Sequence, residues 1–328
     1  MVQRREFSTL LAAAAAGLTL SPALSRGADA AAGYPSRPVR LIVPLAAGGG
    51  VEVAARQFGE ILAKDWGQPI VVEARPGGNG MIGAVAVSQS PADGYTALFT
   101  NSGLIQNAHL RPSPAFRFEN FAPVAMLAYA APALAIQAAI PARTLAEFVA
   151  WAKARPGKLS FGSYGAGSSG HLLGETLNKT AGLDLVHVAY RGESAAVQDM
   201  LGGQIVALFG AAGSLGRQSG PRLRVIAVAS PKRLPGFPDL PTFAESGYAD
   251  MNLPGWMAMF MPAGTPAEVV AKMAEGSARA LALPEFRDAL VKGGFEPASI
   301  GPAEFAAFLK NDYERWGELI RRTGVKVE

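Results

Sequence analysis

Val39-Arg40-Leu41-Ile42-Val43-Pro44-Leu45-Ala46-Ala47-Gly48-Gly49-Gly50-Val51-Glu52 is a short apolar run, a glycine-rich turn and the opening of a helix. Val39–Val43 has the β-branched content of a strand, and residues 53–66 place Ala54, Phe58, Ile61 and Leu62 on one helical face. The same succession recurs downstream. Residues 70–73 form the next strand, Arg75-Pro76-Gly77-Gly78-Asn79-Gly80 is a second glycine-rich turn into a helix, and residues 95–100 form a third strand. Strand, loop, helix and strand at this spacing predict parallel βαβ units.

The pattern changes near Pro132. A strand at 134–136 precedes Thr144-Leu145-Ala146-Glu147, a capping box in which each end satisfies the other's orphan amide. The helix it opens carries Leu145, Phe148, Val149 and Ala152 on one face and stops at Pro156-Gly157. Further strands are expected at Leu159–Ser163, Leu185–Ala189, 205–209 and 223–229, followed by a proline-rich surface connection at 231–241. A late strand at 256–260 leads to Thr265-Pro266-Ala267-Glu268, a second candidate capping box with proline at the first helical position. A final helix from Pro302 aligns Phe305, Phe308, Leu309, Trp316 and Ile320. With no strands of its own to cover, this C-terminal part is expected to pack back on the first lobe. The fold class is therefore α/β with two lobes, mainly parallel sheets and a hinge. Residues 34–131 are the first part of lobe 1, 132–252 are lobe 2, and 253–328 return to lobe 1.

The N-terminal segment stands apart from this pattern. Arg4-Arg5 precedes a short apolar stretch with alanines at 12–16, the form of a twin-arginine export address. The stretch is shorter than the roughly 20 residues that span a bilayer, and Ala28-Asp29-Ala30 offers a small-x-small cleavage site. Residues 1–30 are thus expected to be a signal peptide and the mature protein periplasmic, the alternative being an uncleaved anchor. The chain has no cysteine, which removes disulfides and thiol chemistry. With 49% hydrophobic and 17% charged residues it is globular, and 328 residues exceed what one core usually organises. The net charge of +4 suits small anions. The basic residues are scattered, so no nucleic-acid footprint is expected.

Three strand-to-helix junctions are rich in small residues: Pro44-Leu45-Ala46-Ala47-Gly48-Gly49-Gly50, Thr100-Asn101-Ser102-Gly103 and Gly162-Ser163-Tyr164-Gly165-Ala166-Gly167-Ser168-Ser169-Gly170-His171. Ligands of open α/β sheets sit outside the carboxyl ends of the strands, where helix N-termini offer unpaired amides to a carboxylate. Each loop alone reads as an ordinary βα turn, for which glycine is common; three in one chain point to a site. Gly165, Gly167 and Gly170 also match a dinucleotide fingerprint, which leaves a dinucleotide-dependent enzyme as an alternative. The strand after it ends in Tyr190-Arg191-Gly192, however, where that chemistry needs an acid for the ribose.

Glu52 falls in a first helical turn, where a carboxylate either caps amides or meets ligand. There are three histidines, His109, His171 and His187, with no pair at metal-ligand spacing. No serine lies in a nucleophile elbow. The chain offers binding loops without catalytic equipment, so no enzyme activity, no metal and no cofactor is expected.

At these residues the sequence resembles the receptors of tripartite tricarboxylate transporters, the Bug family. The resemblance runs through Tyr34-Pro35-Ser36-Arg37-Pro38, Ile42-Val43-Pro44, Gly48-Gly49-Gly50 and Arg75-Pro76-Gly77-Gly78-Asn79-Gly80-Met81-Ile82-Gly83. It continues with Asp93-Gly94-Tyr95, Tyr190-Arg191-Gly192, Leu201-Gly202-Gly203-Gln204, Pro241-Thr242 and Pro262-Ala263-Gly264-Thr265-Pro266. It implies a type II periplasmic-binding-protein fold whose two lobes close on an organic acid. It also implies a monomer that docks on membrane transporter subunits, or a solute sensor with another partner. By the same resemblance the ligand carboxylate is held by backbone groups and water at Ala47, Gly48, Gly49, Gly50, Val51 and Glu52, and at Gly167, Ser168 and Ser169.

The chain departs from the family pattern at two places. Ala47-Gly48-Gly49-Gly50-Val51-Glu52 stands where Pro-Gly-Gly-Gly-Thr-Asp is common, and Gly210 stands after Phe209 where an Asp is common. The loss of an acid at Gly210 leads to an expectation of plain or aromatic acids over amino acids. Arg191 is the one cation expected to reach the pocket, unless it pairs with Glu193 or Asp199 on the surface.

Overall fold

The computed structural model describes residues 33–111 and 117–327. The chain opens with β1 (Val39–Val43), α1 (Gly50–Trp66), β2 (Ile70–Ala74), α2 (Met81–Ser88), β3 (Thr96–Asn101) and α3 (Gly103–Leu110). β4 (Phe121–Ala130) passes through Ala131 directly into β5 (Pro132–Gln137). Next come α4 (Leu145–Lys153), β6 (Leu159–Ser163), α5 (Ser169–Ala181), β7 (Leu185–Ala189) and α6 (Glu193–Leu201). They are followed by β8 (Ala207–Ala211), α7 (Ala212–Gln218) and β9 (Leu223–Val228). After a long connection the chain forms β10 (Gly255–Pro262), α8 (Ala267–Ala282), α9 (Pro284–Lys292), β11 (Phe295–Ile300) and α10 (Pro302–Thr323).

Two sheets result, one per lobe. The first has the order β11-β4-β10-β3-β1-β2 and the second β7-β6-β8-β5-β9. The two-lobed α/β architecture is the expected one, but both sheets are mixed rather than mainly parallel. β1 pairs in parallel with β2 and β3, and β6 with β7 and β8, whereas β10 and β5 run against both of their neighbours. The cause is where strands enter. β5, β10 and β11 each begin at the junction between lobes, at Pro132 against Ala211, and at Gly255 and Phe295 against Ala130. Strands that enter from the junction run away from it, and the others run toward it.

Strand alternation puts successive side chains on opposite faces. Leu41, Val43 and Phe99 join α1 and α8 on one face of the first sheet, whereas Ile42, Leu98 and Trp256 join α10 on the other. In the second sheet Leu134, Phe161 and Phe209 face α4 and α5, and Ala133, Ala135 and Leu208 face α6 and α7.

Thr144 and Glu147 form the expected capping box, with Glu147 N donating to Thr144 Oγ1 at 3.2 Å. Thr265 and Glu268 do not. Pro266 is the cap residue of α8, and the Thr265 hydroxyl donates instead to Pro262 O at 2.8 Å. The C-terminal part does contribute a strand, β11, contrary to the expectation that it has none.

α10 carries Phe305, Leu309, Trp316 and Ile320 into the first lobe, next to Trp256. Its last turn reaches the second lobe. Leu172 of α5 joins the same cluster, and Lys179 Nζ donates to Arg322 O at 2.8 Å. Beyond the helix, Val327 lies beside the glycine loop, 3.3 Å from where a Cβ on Gly167 would stand. The residues read as an export signal, 1–30, lie outside the described residues. No helix among the described residues is long and apolar enough to cross a membrane.

Candidate functional site

Because β1, β3, β6, β7 and β8 all run toward the junction, the loops at their carboxyl ends gather where the two lobes meet. Ala47, Gly48, Gly49 and Gly50 are exposed at the start of α1. Val51 and Glu52 turn inward and are buried. Glu52 closes its own loop: Oε2 accepts from Gly48 N at 3.1 Å, and Oε1 accepts from Arg56 Nε. Both carboxylate oxygens are thus engaged by their own helix turn, the capping role considered for this residue.

Asn101 Oδ1 accepts from Gly103 N at 3.0 Å at the start of α3, with Ser102 buried beside it. Asn79, from the second glycine-rich turn, meets Asn107 of α3: Asn107 Nδ2 donates to Asn79 O at 2.7 Å. Leu45, Asn79, Gly80, Thr100, Asn101, Gly103, Leu104 and Asn107 line a recess of about 10 Å³, room for about one water. A larger hollow of about 310 Å³, lined by Phe118, Phe121, Leu309 and Tyr313 among others, lies at the end of β4 remote from the junction.

The second lobe supplies the β6–α5 loop. Ser168 is buried and caps α5 through His171 N at 3.3 Å, while its hydroxyl donates to Gly165 O at 2.7 Å. Gly167 N donates to His171 Nδ1 at 3.0 Å, and Ser163 Oγ shares a 2.8 Å hydrogen bond with His187 Nε2. The two imidazoles stack at 3.6 Å, 8° from parallel. Burial lowers His171 to about 4, and burial together with the His171 ring lowers His187 to about 3. Both are therefore neutral supports of the loop, as the Gly167 bond to an unprotonated Nδ1 requires. Burial pushes Tyr164 up to about 12, with the neighbouring Ser169 and Gly170 backbone opposing the rise.

The lobes touch across this loop. Gln106 Nε2 of α3 donates to Ser169 Oγ at 2.7 Å, and a Cβ on Gly165 would stand 3.7 Å from Asn79 Oδ1. Nearer the chain crossings, Lys232 and Glu296 form an ion pair at 2.8 Å. There too a Cβ on Gly213 would lie 2.2 Å from Gly293 O, so only glycine permits this backbone approach.

The remaining predicted residues surround the same loop. Tyr190 is half-buried and donates its hydroxyl to Asp199 Oδ2 at 2.8 Å. Gly192 has φ 103 and precedes α6. Arg191 is exposed and forms no ion pair among the described residues, so it pairs with neither Glu193 nor Asp199. Gly210 is buried at the end of β8, and an ideal Cβ there would stand 2.8 Å from Glu193 Oε2. The acid missing at Gly210 is thus replaced in space by one from α6. Gln106, Asn107 and Glu193 were not read as site residues from sequence, whereas Asn79 and Tyr164 lie in the glycine-rich turn and loop quoted above. Gln106 and Asn107, adjacent polar residues in an otherwise apolar helix, were the available signal. No group of three or more metal-ligating side chains occurs among the described residues.

Residues 54–325 match the family described as TctC, tripartite tricarboxylate transporter family receptor. The structure of the periplasmic binding protein BugD is 30% identical, with a TM-score of 0.82 over 90% of this chain and 100% of that one. An R. palustris protein solved with adipate is 28% identical, with a TM-score of 0.84 over 89% and 99% of the two chains. MatC from Rhodopseudomonas palustris, solved with bound malate, is 28% identical, with a TM-score of 0.78 over 88% and 100%. From its ordered motifs to its two mixed sheets, the chain belongs to the tripartite tricarboxylate transporter receptor family.

Proposed function

We propose that this chain is a periplasmic solute-binding receptor that captures a small organic carboxylate between its lobes and delivers it to membrane components of a tripartite tricarboxylate-type transporter. The observation that carries this reading is the junction itself. Gly48–Gly50 and Gly167–Ser169, helix-start loops free of Lys and Arg, lie at the carboxyl ends of β1 and β6, beside the seam where Gln106 of one lobe meets Ser169 of the other. Such a seam holds a carboxylate through backbone N–H groups and hydroxyls, each hydrogen bond to the charged group contributing about 1.5–3 kcal/mol. The adipate and malate bound by the two R. palustris proteins favour a small dicarboxylate here. The chain acts by binding rather than by catalysis, and the hinge is formed by the crossings at Ala131 and between β9 and β10.

A thermal-shift screen of organic acids, followed by calorimetry, tests this. A ligand at 100 times its Kd adds about 2.7 kcal/mol to stability, a readily measured rise in Tm. If no organic acid raises Tm, the receptor reading fails.

A further inference from the structure

Glu193 opens α6 and turns its carboxylate toward the end of β8. Oε2 accepts from Ala211 N at 2.6 Å and so caps α7, which has no side-chain cap of its own. Oε1 is buried and makes no hydrogen bond of ordinary geometry among the described residues, although the Ser214 hydroxyl is close enough to favour the charge. The basic residue of α7, Arg217, is committed elsewhere, its Nη1 donating to Lys292 O. Gly210 makes the arrangement possible, since any side chain there would overlap the carboxylate.

The carboxylate belongs to the polar cluster at the lobe junction. It sits at the junction end of β8, where Ala211 pairs with Pro132 at the crossing between lobes, and its charge acts on Tyr164 of the β6–α5 loop, the loop that Gln106 reaches from the first lobe. Burial raises the pKa of Glu193, while the Ser214 hydroxyl, the Ala211 amide and the Arg217 charge pull it back. Capping α7 occupies one oxygen. A second oxygen buried without a donor is destabilising, and nothing in the cap calls for it.

We infer that Glu193 is a specificity-determining residue of the cleft, its free oxygen taking a hydrogen-bond donor, a hydroxyl or an ammonium, carried by the captured acid beside its carboxylate. The inference rests on the receptor reading above, and it reverses the preference for plain acids that Gly210 suggested. A ligand lacking the donor leaves Oε1 unpaired and sets its own charge against that of Glu193.

Calorimetry on the full chain with succinate, malate and aspartate, and with adipate and its hydroxy and amino counterparts, provides the test. At least one donor-bearing acid should bind about tenfold or more tighter than the plain acid of the same skeleton, the effect of one charge-assisted bond. The malate and aspartate arms separate hydroxyl from ammonium. Glu193→Gln keeps an oxygen for the Ala211 amide and should erase that gap. Gly210→Ala, which displaces the carboxylate without altering it, should shrink the gap from the opposite side. Equal affinities for plain and donor-bearing acids in the native protein, or a gap that survives Glu193→Gln, overturn the inference and leave the receptor reading standing. Failure of every acid to bind the native protein overturns both.

Discussion

Gln106 Nε2 donates to Ser169 Oγ at 2.7 Å, joining a helix of the first lobe to a helix start of the second, with both residues buried. A neutral hydrogen bond of this kind contributes about 1 kcal/mol, which biases a two-state lobe equilibrium about fivefold. Gln106→Ala should therefore loosen the junction. Solution scattering without added ligand should give a larger radius of gyration than the native protein, and a saturating acid should bring the two values together by hinge closure. Identical scattering before and after ligand in both proteins would show that the lobes do not move.

Gly49 has φ −75, which any residue adopts, and a Cβ there would stand 3.3 Å from Ala46 O, a tight contact that this exposed loop relieves by yielding a few tenths of an ångström. Gly49→Val should therefore fold, with an unchanged far-UV circular dichroism spectrum, while its branched side chain blocks the approach of a carboxylate to the loop amides. Calorimetry should show binding abolished. Ser169→Ala removes one hydroxyl and should cost only about 1.5–3 kcal/mol of affinity.

Arg191 is exposed and carries no ion pair among the described residues. Arg191→Ala should leave Kd within about twofold of native, as expected of a surface cation. Should this variant alone lose binding while Gly49→Val retains it, the backbone cradle is the wrong mechanism.

The stacked His171 and His187 predict an acid-sensitive second lobe. Their folded pKa values, about 4 and about 3, lie below the ordinary value of about 6.5. As pH falls below 6.5 the unfolded chain binds protons that the folded chain refuses, so stability declines, and the His171 contribution levels off near pH 4. Tm measured between neutral pH and about 4 should fall, and His187→Asn should flatten the slope. A native protein whose Tm is constant over that range would exclude this role.

Export is checked directly. Mass spectrometry of the protein recovered from periplasm should place its first residue between Ala31 and Tyr34; recovery of full-length cytoplasmic chain alone would contradict the reading of Arg4-Arg5 and Ala28-Asp29-Ala30.

Legibility in the sequence followed the range of the forces involved. β1, β6 and β7 coincide with the apolar runs read as strands, and Thr144 with Glu147 caps α4, because period and capping are local. β4 was missed: its alanines and Pro123 carry little strand signal. Pro123 is tolerated because it pairs with β10 on one side, while β11 joins β4 only from Met126 onward. The glycine loops were legible because glycine at a βα turn has a backbone meaning. Glu193 beneath Gly210 was not, since two residues 17 positions apart share one volume only after α6 packs on β8. The same holds for Gln106 and Ser169, whose pairing depends on how the lobes are placed.

The C-terminal helix is rooted in one lobe while Val327, just past its end, lies against the glycine loop of the other. The native sequence contains no cysteine, so Val327→Cys would supply a single thiol for an environment-sensitive dye. Held by the first lobe and facing the second, that dye would report each capture event as a change in emission, turning the chain into a reagentless optical sensor for whichever acid it binds.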